Sequence, residues 1–188
     1  MPAKAGDAVV KTGVARDARK LRVVLNERES DMTIAYYSTV LDHPVEKVWS
    51  LLRDFNHYPV YIEGVTESVI EHAKGGDEVG AIRRFCYAGH WIRQRLCEHS
   101  DEHRTFTYLG LEPFEFPSTG ESVRPDPIRY SGTVTVLPVV EPQSTFIEWS
   151  VSFYIAGEQS QSAWHTKLMT LIPEWTASLK RTLERQAA

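Results

Sequence analysis

The chemistry this sequence could support is concentrated in one arginine and three tyrosines, Arg83, Tyr87, Tyr108 and Tyr130, all set in strand-like surroundings. In Val79–Ala88, alternation offers two faces, Ala81, Arg83, Phe85 and Tyr87 against Ile82, Arg84 and Cys86. Turning the aromatic phase inward puts Arg83 inside the protein. A buried guanidinium needs a partner because an isolated charge is expensive to desolvate. That partner is either a protein carboxylate or an anionic ligand group, which a guanidinium can grip through two parallel hydrogen bonds. A solvent-facing Arg83 is the alternative that alternation leaves open. Each tyrosine joins an apolar ring to a hydroxyl that needs a partner when buried, and each could donate or accept a proton. Singly they read equally well as core residues. As a set they suit a ligand with rings and a few oxygens.

Other reactive types carry less. His165, beside Trp164, could sit at a pocket mouth and move protons near neutral pH, or simply lie on a helix surface. His99-Ser100-Asp101-Glu102-His103 has a metal-like spacing, but a polar hairpin turn need not bring its two histidines together. The chain lacks HExxH, a cysteine-pair array, a P-loop, GxGxxG and GxSxG. Redox, phosphoryl-transfer and serine-hydrolase chemistry therefore have no motif, and neither a metal nor a nucleotide cofactor is expected.

The elements that must position these residues follow from periodicity. Thr33–Leu41 is β-branched and aromatic, hence a strand. Asp42-His43-Pro44 opens a helix, with Asp42 or His43 as cap and Pro44 in the first turn. Val45, Val48, Trp49, Leu52 and Phe55 keep helical spacing until Asn56 and Pro59 end it, and a further short turn holds Tyr58 and Tyr61. Strands follow over Val65–His72, Val79–Ala88, Trp91–His99, Arg104–Gly110, Ile128–Val140 and Thr145–Ile155. Trp164, Leu168, Leu171, Ile172, Trp175, Leu179 and Leu183 then form one helical apolar stripe, with a kink expected at Pro173. Short loops between strands make the sheet antiparallel, so the class is α+β.

The same alternation picks out the wall of a pocket between sheet and last helix. Ile147, Trp149, Val151, Phe153 and Ile155 share the inward phase, as do Ile92, Gln94 and Leu96, then Phe106 and Tyr108, then Tyr130, Val134 and Val136. The candidate ligand-binding set is Gln94, Phe106, Tyr108, Trp149, Val151, Leu168 and Trp175, with Arg83, Tyr87 and Tyr130 as candidate catalytic residues.

Length and composition set limits. The chain has 188 residues, 42% hydrophobic and 24% charged, with a formal net charge of −4. That is one globular domain, over residues 32–188, behind a mixed-charge arm over residues 1–31 that is partly disordered or helical and could swap between the copies of a homodimer. No global basic field favours nucleic acid. No apolar run reaches the roughly 18 residues of a membrane span, and the N-terminus lacks a secretory core segment. A turn at Gly89-His90 would set Cys86 opposite Arg93 and leave Cys97 out of register, so no disulfide is expected and the cytoplasm is the expected compartment. The proline-rich stretch 111–127, with Phe114 and Phe116, is long enough to be a lid, a dimer contact or a flexible loop.

Leu41-Asp42-His43-Pro44-Val45-Glu46-Lys47-Val48-Trp49-Ser50-Leu51-Leu52-Arg53-Asp54-Phe55 resembles the opening of the polyketide cyclase/START-like superfamily, which includes the birch-pollen-allergen-like proteins. Val79-Gly80-Ala81-Ile82-Arg83-Arg84, Arg93-Gln94-Arg95-Leu96, Ile147–Phe153 and the terminal helix extend the resemblance over residues 33–184. It implies a helix-grip fold, a curved antiparallel sheet of about seven strands around a long C-terminal helix, with a cavity between them. Similar proteins include aromatase/cyclases, lipid carriers and plant hormone receptors. The receptors' ligand-binding lysine matches Ile62 here, and their proline-containing gate matches Ala88-Gly89-His90-Trp91, so a receptor of that kind is not implied.

Three functions follow as expectations. The cavity binds a small, largely apolar ligand. Alternatively, it hosts a cyclase, dehydratase or lyase reaction on a polyketide-like or aromatic substrate, with Arg83 holding an enolate or carboxylate. Or the arm and loop bind a partner and the cavity is filled.

Overall fold

The structure, a computed structural model, describes residues 32–114, 128–140, 143–155 and 157–186. The N-terminal arm and most of the proline-rich connection, with Phe116, lie outside the described residues. Expectations about swapping, lids and dimer contacts fall there.

Seven strands form a single antiparallel sheet in the order β1-β7-β6-β5-β4-β3-β2. They are β1 (Thr33–Leu41), β2 (Val65–Glu71), β3 (Ile82–Tyr87), β4 (His90–Ser100), β5 (Thr105–Gly110), β6 (Arg129–Val139) and β7 (Ser144–Tyr154). Two short helices, α1 (Val45–Leu52) and α2 (Tyr58–Tyr61), follow β1, and α3 (Glu158–Arg185) closes the chain. The first strand returns beside the last, so all hairpins from β2 to β7 are sequential and only the α1–α2 connection crosses the sheet. This is the helix-grip fold.

The inward phases read from alternation are the buried ones. Ile147, Trp149, Val151, Phe153 and Ile155 are buried on β7 and its end, while Glu148, Ser150 and Ser152 are half-buried. Along α3, Trp164, Leu168, Leu171, Ile172, Leu179 and Leu183 are buried, and Trp175 is partly so. The helix lies over β1 and β7 and against α2. It runs through Pro173 without a break.

Several local details differ from the sequence expectation. Pro44 is the cap residue of α1, not part of its first turn, and no side chain caps that helix. Neither Asp42 nor His43 serves as the cap, and the entry to the helix is instead tied to β7 by the Thr145 hydroxyl, which donates to the His43 carbonyl at 2.7 Å. Pro59 does not end α1. It lies in the first turn of α2, where its missing N–H costs nothing. The β3–β4 turn is Ala88-Gly89, because Tyr87 pairs with His90 and Cys86 with Trp91. Both turn residues have positive φ, 48° and 84°, as a tight two-residue hairpin requires. Cys86 therefore faces Trp91 and not Arg93, and Arg84 is the residue opposite Arg93. Cys97 occupies a bulge in β4 between Leu96 and Glu98, and both cysteines are free thiols. Strand β3 starts at Ile82 and not Val79, since Gly80 turns the chain at φ 87°.

Candidate ligand-binding cavity

Two glycines shape the concave face. A Cβ on Gly110 would stand 2.6 Å from the Tyr130 ring, and one on Gly132 would collide with the hydroxyl end of Tyr108. Both tyrosine rings can therefore lie against bare backbone on neighbouring strands. Beside them, between the sheet and the first half of α3, is a hollow with a cavity volume of about 50 Å³. One water needs roughly 10–15 Å³ on such a scale, so the hollow exceeds a packing defect, and a ring-bearing ligand would require side chains to shift.

The sequence-derived residues divide around this space. Tyr87, Gln94, Tyr108, Tyr130, Val151, Leu168 and Trp175 line it. Arg83, Phe106 and Trp149 do not. Phe106 is packed against Trp49 and Phe55, with ring centroids 6.5 and 6.3 Å away. Trp149 forms a layer behind the wall, 5.3 Å from Trp175. Arg83 is fully buried beneath the wall.

Other lining residues were missed. Phe85 and Ile92 lie on phases already read as inward, so alternation alone could have found them. Tyr58 and Ile62, around α2, had no periodic signal to aim them. Phe114 and Ile128 flank the proline-rich connection and reach the hollow because they bridge each other, with Phe114 N donating to Ile128 O at 3.1 Å. Trp164 was visible on the helical stripe.

The polar groups form short chains. Arg83 Nε donates to Gln94 Oε1 at 3.1 Å, and Nη2 donates to the same oxygen. Arg83 Nη1 donates to the Phe55 carbonyl. The guanidinium lies between two rings, 3.8 Å from the Phe55 centroid and 3.3 Å from that of Tyr58. The carboxylate or ligand anion expected from sequence is thus replaced by two neutral oxygens and two π faces, which together can hold a buried cation. Gln94 Nε2 donates to Tyr130 Oη at 2.8 Å. Trp149 Nε1 donates to Tyr108 Oη and Trp175 Nε1 to Tyr87 Oη, both at 3.1 Å. Burial pushes the Tyr130 hydroxyl well above the ordinary tyrosine range, against the opposing pull of the Gln94 hydrogen bond and the Arg83 charge. Burial, with the nearby Tyr58, raises Tyr108 as well. These phenols are therefore proton holders, not bases.

With this geometry in place, comparison with known proteins decides the family. The family described as "Polyketide cyclase / dehydrase and lipid transport" matches residues 32–187. The chain belongs to that family. No protein of curated function matches it in sequence. Among solved structures, a protein from Nitrosospira multiformis is 29% identical with a TM-score of 0.60, covering 78% of this chain and 96% of its own. Norcoclaurine synthase from Thalictrum flavum, solved as a point mutant with a transition-state analogue, is 13% identical with a TM-score of 0.61, covering 84% of this chain and 97% of that one. The di-domain ARO/CYC BexL, from the BE-7585A biosynthetic pathway, is 13% identical with a TM-score of 0.62, covering 81% of this chain and 46% of that one. The last two likenesses are likenesses of fold. Family and fold indicate ligand binding or cyclase-type activity.

In this member of the polyketide cyclase/dehydrase family, the hollow has an outer neighbour. A polar depression of about 230 Å³, flanked by Glu63, Glu174 and Arg181, shares Tyr87 and Trp175 with the inner space. Those two rings meet edge to face at 6.0 Å and form a common wall. His165 is half-buried on α3 and does not line the hollow. The His99–His103 stretch is built differently from a metal site. His99 Nε2 lies 2.9 Å from the Arg53 carbonyl, its ring stacks on Trp49, and Asp101 accepts from Trp49 Nε1 at 2.7 Å and from Arg53. Among the described residues no group of three or more His, Cys, Asp or Glu is placed to hold a metal ion. None of the described helices is long and apolar enough to cross a membrane.

Proposed function

We propose that this protein binds a small, largely apolar ligand, aromatic, polyketide-like or lipid, in the hollow between its sheet and α3. The observation that carries the reading is the wall itself, made of aliphatic side chains and rings with a few fixed tyrosine hydroxyls. Such walls, apolar with a few placed polar groups, are what small-molecule sites use. Gln94, Tyr108, Val151, Leu168 and Trp175 make direct contact with the ligand, and Tyr87 and Tyr130 supply hydroxyls. Phe106 and Trp149 support that wall from behind. The free thiols accord with a reducing, cytoplasmic setting. The test is native mass spectrometry and a thermal-shift screen with fused aromatic compounds and fatty acids. We expect saturable binding of at least one such class, and uniform indifference to all of them would overturn the reading.

A second reading, cyclase, dehydratase or lyase chemistry, is favoured by the Arg83–Gln94–Tyr130 chain. That chain could hold a carbonyl oxygen while negative charge develops on it, and an enclosed wall could fix a flexible substrate in a reactive fold. Tyr130 would touch the substrate, while Arg83 would act only through Gln94. Tyr130→Phe would then lower turnover of a cyclising poly-β-carbonyl substrate at least tenfold, and an unchanged rate would remove Tyr130 from the chemistry.

A further inference from the structure

We infer that the cavity is polarised as a hydrogen-bond donor, so that it selects ligands bearing carbonyl or similar lone-pair oxygens over ligands bearing N–H or O–H groups; the inference rests on the ligand-binding reading above.

The polarity starts at Arg83. A guanidinium has donors and no acceptor. Two of its nitrogens point at one end of the Gln94 amide, so that end is the oxygen. The amide nitrogen then faces Tyr130 and donates to its oxygen at 2.8 Å. The orientation of Gln94 is thereby fixed by chemistry and needs no choice between its two amide flips. A phenol that accepts a hydrogen bond from one side must turn its own proton to the other. For Tyr130, a residue of the cavity wall, the remaining direction is away from Gln94.

Two further phenols show the same sense independently. An indole N–H is also a donor only. Trp149 donates to Tyr108, and Trp175 donates to Tyr87. Neither Tyr87, Tyr108 nor Tyr130 donates its hydroxyl proton to any of the described residues, so among those residues all three protons are uncommitted. Tyr58, which also lines the hollow, has a buried hydroxyl with no partner among the described residues. A buried donor left without an acceptor costs about 1–3 kcal/mol, so the buried hydroxyls of Tyr58, Tyr108 and Tyr130 would each gain from a ligand acceptor. The partners of Arg83 among the described residues are neutral, which leaves a positive charge behind this wall and favours an electron-rich oxygen in front of it. Burial keeps Tyr108 and Tyr130 protonated, so they remain donors at any physiological pH.

The experiment uses the full chain and three bicyclic compounds of matched size: 1-indanone (acceptor), indole (donor) and indane (neither). Affinities are measured by isothermal titration calorimetry. We expect 1-indanone to bind at least tenfold more tightly than indole, and its carbonyl stretch to fall to lower frequency in the complex. In Gln94→Glu, the carboxylate takes both Arg83 and the Tyr130 proton. The Tyr130 lone pairs then face the cavity, and the preference for 1-indanone over indole should shrink at least tenfold. Tyr130→Phe should raise the bound carbonyl frequency toward its apolar-solvent value, a readout that a structural role alone would not move, and it serves if Gln94→Glu does not fold. Indane binding with indole equal to or tighter than 1-indanone overturns the donor polarity and leaves the cavity reading standing. Failure of all three compounds to bind overturns both.

Discussion

The two ends of the concave face are made from the same kinds of residue and end up different. Under α1, Trp49, Phe55 and Phe106 are buried and nest ring against ring. Beside the first half of α3, Tyr87, Tyr130, Trp164 and Trp175 leave a hollow. The contrast lies in how ring tips are held. At the closed end Phe55 and Phe106 have no polar tip and close-pack freely, and the tied Trp49 N–H points out to Asp101. At the open end Tyr87, Tyr108 and Tyr130 are each tied by the hydroxyl to a neighbouring N–H. A ring tethered at its tip cannot swing about χ1 to fill adjacent space without breaking that bond. Hydrogen bonds here oppose collapse of the side chains into the hollow.

The most severe way to break this arrangement is Arg83→Ala. It orphans the Gln94 oxygen and the Phe55 carbonyl and leaves a void between two rings, so a loss of about 3–5 kcal/mol is expected in urea unfolding. A loss below about 1 kcal/mol would show that the guanidinium is not the buried tie between the two ends. The full burial of Arg83 and its bonds make this a substitution that weakens the fold, whatever Arg83 does for a ligand. Next is Gly132→Ala, whose added Cβ meets Tyr108. Overpacking of this kind costs about 1–3 kcal/mol, and here it should also displace the Tyr108 hydroxyl from Trp149, read as a change in tryptophan fluorescence. Trp175→Phe keeps an aromatic but smaller ring and removes the N–H that holds Tyr87. It should cost about 0.5–1.5 kcal/mol and speed uptake of an apolar dye, because the inner hollow and outer depression share that wall.

The smallest effect belongs to the clamp at the closed end. Arg53, and then the Trp49 N–H, hold the Asp101 carboxyl down at about 2, from an ordinary value of 3.8. A lowered carboxyl stabilises the fold above its unfolded pKa and loses that contribution as pH falls toward the folded one, so the window is about pH 4 to 2. The side chain is 56% exposed, so screening keeps the contribution below about 1 kcal/mol. Asp101→Asn should flatten the acid limb of the stability curve over that window and leave the rest unchanged. A limb identical to wild type would show that the clamp contributes nothing.

Much of the fold was legible because its signals are periodic. Glu148, Ser150 and Ser152 alternating with Ile147, Trp149 and Val151 could face only one way, and the stripe from Trp164 to Leu183 could only cover a sheet. The same periodicity turned Tyr108 and Tyr130 inward, while on β3 it left two faces open, and the aromatic phase with Arg83 and Tyr87 is the one the structure buries or half-buries. What it could not supply was depth along the face, so Phe106 and Trp149 were placed with the cavity when they stand behind it. Nor could it supply the partner of Arg83, since Gln94 and Phe55 meet it only through strand pairing and a loop carbonyl. The β3–β4 turn was misplaced by one position because Ala88, an ordinary residue, takes a positive φ that side chains with a Cβ seldom adopt. Phe114 had no pattern at all, being brought to the hollow by a single bridge across a long connection, whereas Ile128 shares the phase of Tyr130 and could have been read as lining.

The bulge in β4 turns Cys97 outward, near the closed end, while Cys86 stays half-buried in the hairpin whose far face carries Phe85 and Tyr87. The chain therefore carries two native reporter groups of unequal access. A maleimide should modify exposed Cys97 faster than half-buried Cys86, and a change in the slower rate on ligand addition would report on the β3–β4 hairpin without any engineered label.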